Sequence, residues 1–107
     1  LAEKLGLSHQ ALFDVVSTSS GSCWSVNSYC PVPGPVPTSP ANKNFEPGFM
    51  TALRAKDLML SQEAALQAGA STPMGAEATH LMRLYMQPAD VAEKDFSSII
   101  NFIRGHQ

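Results

Sequence analysis

The chain has 107 residues, of which 44% are hydrophobic and 15% charged, with a formal net charge of -2. That length fits one small domain and leaves little room for two, and no run approaches the ~20 apolar residues of a membrane-spanning helix. Seven basic against nine acidic residues give no electrostatic reason to expect nucleic acid or a membrane surface as partner. The charged fraction falls below the roughly 25% usual for globular chains. Either this is compositional scatter, or part of the surface meets another domain or subunit. Cys23 and Cys30 are too few for a disulfide framework, and His9, His80 and His106 are too scattered for a zinc site, so no metal is expected.

The opening Leu1-Ala2-Glu3-Lys4-Leu5-Gly6 lacks the basic start and apolar core of a signal peptide. It reads as the tail of a helix already under way, stopped by Gly6, so the chain is expected to begin in mid-structure as part of a longer protein. Ser8 is a good N-cap for a helix carrying Leu12, Phe13, Val15 and Val16. That helix should end between Ser17 and Gly21, where hydroxylated side chains compete for the backbone. A short turn or helical piece around Cys23 to Tyr29 carries Trp24. Six of the eight prolines lie between Pro31 and Pro47, a segment that can be neither helix nor central strand. The flanking Trp24, Tyr29, Phe45 and Phe49 favour a stiff, ordered loop over a disordered linker.

From Phe49 to about Gln67 the pattern is helical, with Gly69 as its stop. Thr72-Pro73 opens another helix, threonine capping and proline at the first helical position, with an expected apolar stripe of Met74, Ala78, Leu81 and Tyr85. Pro88 and Asp90 mark a loop. Asp95 caps a last helix whose stripe is Phe96, Ile99, Ile100 and Ile103. No alternating strand pattern of useful length is present. The fold class is therefore all-α, with four to five helices and one long proline-rich loop.

On the helix from Phe49, Arg54, Asp57 and Ser61 form a wet face, whereas Lys56 shares its side with Phe49, Leu53 and Leu60, the side expected to be buried. A lysine there either snorkels its ammonium to water or meets a specific anion. Trp24 is either a local core plug or one wall of a pocket. Asp57 either orients a ligand or is simply solvated. Ser19, Ser20 and Ser25 have no histidine nearby in sequence to activate them. No glycine-rich phosphate loop is present. The residues alone show no complete active site.

Several segments together resemble the C-terminal domain of the 3-hydroxyisobutyrate dehydrogenases, within the β-hydroxyacid dehydrogenase family. They are Ser19-Ser20-Gly21-Ser22-Cys23-Trp24-Ser25, Tyr29-Cys30-Pro31-Val32-Pro33-Gly34, Ser39-Pro40-Ala41, Gly48-Phe49, Ala55-Lys56-Asp57-Leu58 and Asp95-Phe96-Ser97, in the family's order along nearly the whole chain. The resemblance implies a larger NAD-dependent enzyme with an N-terminal Rossmann domain, a long connecting helix and this helical domain closing the cleft. It implies oxidation of 3-hydroxyisobutyrate to methylmalonate semialdehyde in valine breakdown, by a homo-oligomer in the bacterial cytoplasm or the mitochondrial matrix.

It also implies that the catalytic lysine, its following asparagine, the substrate-carboxylate loop and the dinucleotide fingerprint lie outside this chain, so no catalytic residue is expected here and the chain alone is expected to be inactive. What carries over is Lys56 as a cofactor contact, Trp24 and Phe49 as walls of the substrate pocket, and Asp57 beside them. The alternatives are a helical oligomerisation module with no direct catalytic role, and the same scaffold in a tartronate semialdehyde or glyoxylate reductase. The choice between NAD and NADP stays open.

Overall fold

The computed structural model describes residues 1–105; of the sequence features above, only His106 lies outside the described residues. Among the described residues the regular structure is entirely helical: α1 His9–Val16, α2 Trp24–Asn27, α3 Thr51–Ala68, α4 Pro73–Tyr85 and α5 Ile99–Arg104, with four short 3-10 turns between and around them. No helix among these residues is long and apolar enough to cross a membrane. The chain divides into two compact units, Leu1–Glu46 and Pro47–Gln107.

The first unit is built largely from local polar bonds. A 3-10 turn, Glu3–Leu5, ends at Gly6 with φ 80°, so the opening element is a single tight turn closed where the sequence places its stop. Ser8 caps α1 by accepting from the Ala11 N–H at 3.1 Å. At the other end Thr18 Oγ1 donates to the carbonyls of Asp14 and Val15, and Ser19 Oγ donates to that of Val16. These hydroxyls add side-chain bonds at the helix end, where the Val15 and Val16 carbonyls also accept from the Thr18 and Ser19 amides.

The proline-rich loop is ordered, and its organiser is Asn42, which the sequence analysis did not single out. The Asn42 side chain accepts from the Gly34 N–H at 3.0 Å and donates to the Val36 carbonyl at 2.8 Å and to Ser39 Oγ at 3.0 Å. Cys30, Ser39, Pro40 and Ala41 are buried along this loop. A 3-10 turn, Pro40–Lys43, follows, and Asn44 and Phe45 then both take left-handed backbone angles, φ 53° and 58°. The left-handed region is costly for a bulky side chain such as Phe45; the Phe45 N–H is held there by the Pro40 carbonyl at 2.9 Å.

In the second unit α3 begins two residues later than its pattern predicts, because Phe49 lies in a bend and the extended Met50 pairs with Asp95 in an isolated antiparallel bridge. Met50 supplies no side-chain cap. The first free helix donors find other acceptors: Thr51 N–H donates to the Lys94 carbonyl at 2.8 Å and Ala52 N–H to the Ala92 carbonyl at 3.0 Å. A segment more than forty residues away in sequence thus does the work of an N-cap. Gly69 closes the helix at φ 69°, a conformation that favours glycine.

The core of this unit is small: Ala55, Met82 and Tyr85, with Leu58, Met86, Val91, Phe96 and Ile99 against them. Its composition corrects three expectations. The inward side of α3 carries Thr51, Ala55 and Leu58, while Leu53, Lys56 and Leu60 face outward. On α4 the inward residues are Thr79, Met82 and Tyr85, and of the expected stripe only Tyr85 is buried; Met74 is 79% exposed. The expected last helix divides into a 3-10 turn, Phe96–Ser98, and α5; Phe96 and Ile99 pack on the core, but Ile103 is 60% exposed.

On α3 small side chains allow close helix approach, so Thr51 and Ala55 go inward although leucines stand on the other face, and α4 fills its side with Met82 and Tyr85. Thr72 opens α4 ahead of Pro73, but its hydroxyl bonds the Gln62 side chain at 3.2 Å and does not cap. Tyr85 Oη pairs with Ser98 Oγ at 2.7 Å, satisfying two buried hydroxyls at once.

These faces predict opposite outcomes for two methionines on one helix. Met82→Ala should destabilise the unit by about 2–5 kcal/mol through the cavity it leaves, whereas Met74→Ala should stay within about 0.5 kcal/mol, as exposed substitutions do. Urea unfolding of the two variants of this chain measures both.

Candidate functional site

Lys56 stands one turn into the outward face of α3, with Leu53 before it and Leu60 after it at helical spacing. All three are exposed. Among the described residues the Lys56 ammonium has no ion-pair or hydrogen-bond partner. Asp57 is also exposed and points away from the buried side defined by Thr51 and Ala55. This side of α3 is a cation set among apolar side chains that nothing in its own unit covers.

Phe49 is placed by its main chain. Its N–H donates to Asp95 Oδ1 at 3.0 Å, beside the Gly48 N–H, which donates to the same oxygen at 3.0 Å. Its carbonyl accepts from the Phe96 N–H at 2.9 Å. The half-buried ring meets Phe96 edge-on, with centroids 6.2 Å apart and planes at 78°. Since Phe49 precedes the helix, its relation to Lys56 is set by this bridge and not by the helical spacing assumed from sequence.

Arg54 departs from expectation most. Instead of joining a wet face with Asp57 and Ser61, it is half-buried, its guanidinium 5.2 Å from the Phe49 ring centroid and 4.2 Å from that of Phe96. Its Nε is buried with no hydrogen-bond partner. Cation–π attraction replaces the missing hydrogen bond there, and the flat guanidinium suits contact with two rings better than an ammonium does. The signal available in the sequence was the spacing Phe49–Arg54 with a second aromatic at Phe96, which no helical pattern connects.

In the first unit Trp24 opens α2 and is 59% exposed, with its ring stacked on Tyr29 at 4.7 Å and 21°. It is not a core plug. Stacking on Tyr29 holds the indole rigid while leaving an apolar face open. Cys23 is exposed beside it and Cys30 buried, both free thiols. Among the described residues no three His, Cys, Asp or Glu side chains are grouped so as to hold a metal ion.

The class these observations define is a helical domain, with a cation among exposed leucines on α3 in the second unit and an open aromatic face at Trp24 in the first. Comparison with known proteins then assigns the family. Residues 1–103 match the family described as the NAD-binding domain of NADP-dependent 3-hydroxyisobutyrate dehydrogenase. The chain belongs to that family. It is 53% identical over 104 residues to a protein of Mycobacterium tuberculosis named "Probable 3-hydroxyisobutyrate dehydrogenase", covering 97% of this chain and 35% of that one. It is 43% identical over 94 residues to a Pseudomonas aeruginosa NAD-dependent L-serine dehydrogenase, covering 88% of this chain and 31% of that one. A solved structure of Mycobacterium tuberculosis 3-hydroxyisobutyrate dehydrogenase with L-serine superposes with a TM-score of 0.91 at 52% identity, covering 96% of this chain and 35% of that one. The chain therefore spans about a third of the length of the relatives it matches.

The Arg54 contact is open to a direct check. Arg54→Lys should destabilise the second unit by about 1 kcal/mol, because a compact, strongly hydrated ammonium cannot lie flat against both rings. Thermal unfolding of the two proteins compares them.

Proposed function

We propose that this chain is the cleft-closing helical part of an NAD-dependent dehydrogenase that oxidises 3-hydroxyisobutyrate to methylmalonate semialdehyde in valine breakdown. The observation that carries the reading is the unpartnered ammonium of Lys56 between exposed Leu53 and Leu60, in a chain of an NAD-binding family. An anionic ligand group placed there would pair with the ammonium while its apolar parts cover the leucines.

NAD, when bound, supplies the hydride acceptor. Lys56 holds it by donating to an anionic or hydroxyl oxygen near a phosphate or the nicotinamide ribose. Phe49, with its main chain held by Asp95 and Phe96, offers a fixed apolar wall to the substrate pocket and keeps water from it. Trp24, held rigid on Tyr29 in the first unit, presents an open apolar ring face to a ligand. Asp57, exposed next to Lys56, orients polar groups of the ligand.

The groups that move the proton belong to an N-terminal Rossmann domain and a connecting helix outside this chain. The chain by itself is inactive. Exposed Leu53, Leu60, Met74 and Leu84 give that domain or a second subunit apolar surface to cover, which supports a homo-oligomeric enzyme. It works in the bacterial cytoplasm or, in a eukaryote, the mitochondrial matrix.

A second substrate is favoured by particular observations. One relative is named an L-serine dehydrogenase, and the solved neighbour carries L-serine in its title. L-Serine and 3-hydroxyisobutyrate are both 3-hydroxy acids that differ at the 2-carbon, so one pocket can accept each and rank them by that substituent. Steady-state rates of the full-length enzyme on the two acids decide the order.

Lys56→Ala in the full-length enzyme should raise the KM for NAD about ten- to a hundredfold, the worth of one charge-assisted hydrogen bond. Lys56→Arg should recover only part of the loss, because the broader fork misfits a site shaped for one ammonium. Unchanged KM and turnover in Lys56→Ala would remove the role assigned to this side chain.

A further inference from the structure

We propose that Asp95 is a positioning residue for the dehydrogenase reaction: its buried carboxylate holds the main chain of Gly48 and Phe49 and so sets where the Phe49 ring stands in the pocket. The inference rests on the reading of Phe49 as a pocket wall and deepens it.

Asp95 is 0% exposed. Burying a carboxylate is costly unless hydrogen bonds compensate it, and its two oxygens are used for different things. Oδ2 accepts from the N–H and the hydroxyl of Ser97, a local cap of the 3-10 turn Phe96–Ser98. A serine or threonine at the surface could do that much. Oδ1 accepts from the N–H groups of Gly48 and Phe49, 47 and 46 positions earlier in the chain. Those two bonds contribute nothing to the cap. They fasten the entry to α3, and the Phe96 N–H fastens the Phe49 carbonyl from the other side.

With both polar groups of residue 49 held, its ring needs no deep burial to stay in place. It is half-buried, steadied on its edge by Phe96 and approached by the Arg54 guanidinium. Residues 92 and 94 of the same segment also accept from the first amides of α3, so one anchored strand sets the start of the helix that carries Lys56. Hydrogen bonds to a charged acceptor are about twice as strong as neutral ones, which suits a group that must hold a wall without occupying the space in front of it.

The test is a double-mutant cycle in the full-length dehydrogenase, read as kcat/KM for the 3-hydroxy acid on folded protein. Asp95→Ser keeps a cap for Ser97 but is too short to reach Gly48 and Phe49; it should lower kcat/KM about tenfold. Phe49→Leu should lower it comparably, and the Phe49→Leu/Asp95→Ser pair should be no worse than Phe49→Leu alone. Ser97→Ala, which removes only a donor on the Oδ2 side, should lower the melting temperature and leave kcat/KM within about twofold. If Asp95→Ser does not yield folded protein, Asp95→Asn, which keeps the volume but replaces the charged acceptor with a neutral amide and so weakens the bonds to Gly48 and Phe49, takes its place in the cycle.

A full Asp95 effect that persists in the Phe49→Leu background, or an Asp95 variant with unchanged kcat/KM, overturns the positioning role and leaves the reading of Phe49 intact. An unchanged kcat/KM in Phe49→Leu overturns that reading, and the positioning role falls with it.

Discussion

A single buried carboxylate organises the start of the long helix α3. Asp95 accepts from main-chain donors on two separate segments, Gly48–Phe49 and Ser97, and the residues around it continue the same ladder through Phe96, Lys94 and Ala92. Leaving several main-chain amides unpaired in the interior would cost about 1–3 kcal/mol each, so this junction outweighs any one apolar contact in a core as small as Ala55, Met82 and Tyr85. Arg54 depends on it as well, because the two rings that receive the guanidinium belong to Phe49 and Phe96, whose main chains are hydrogen-bonded to each other beside the Met50–Asp95 bridge.

The two units are stabilised by different physics. In Leu1–Glu46 the work is done by side-chain oxygens and one amide, with Ser8, Thr18, Ser19 and Asn42 closing helix ends and turns. Proline lowers the entropy that such a loop loses on ordering, and Asn42 needs only to select among the conformations left. In Pro47–Gln107 close helix packing takes over, with the small Thr51 and Ala55 inward on α3. The outward faces of α3 and α4 keep large apolar side chains exposed.

Lys56 stands on the outward side of α3. Its side of α3 was expected to be buried because leucines stand there, and within this chain it is exposed. Leucines beside a cation give one helix face both a charged and an apolar part.

Helix ends were legible from residue order alone: Gly6 and Gly69 as stops, Ser8 as a cap, Pro73 at a first helical position, and Asp95 as a cap. These signals act through groups within a few residues of one another, so no distant partner is needed to read them. The all-helical class and the ordered state of the proline-rich loop were legible for the same reason. The rotation of α3 and α4 was not, since apolar residues occur on more than one side of each and only contact between helices selects the side that packs. Nor were the partners of Asp95, the Arg54 position between two rings or the role of Asn42, because a side chain's hydrogen-bonding capacity is written in its chemistry while its distant partners are chosen only when the chain closes on itself.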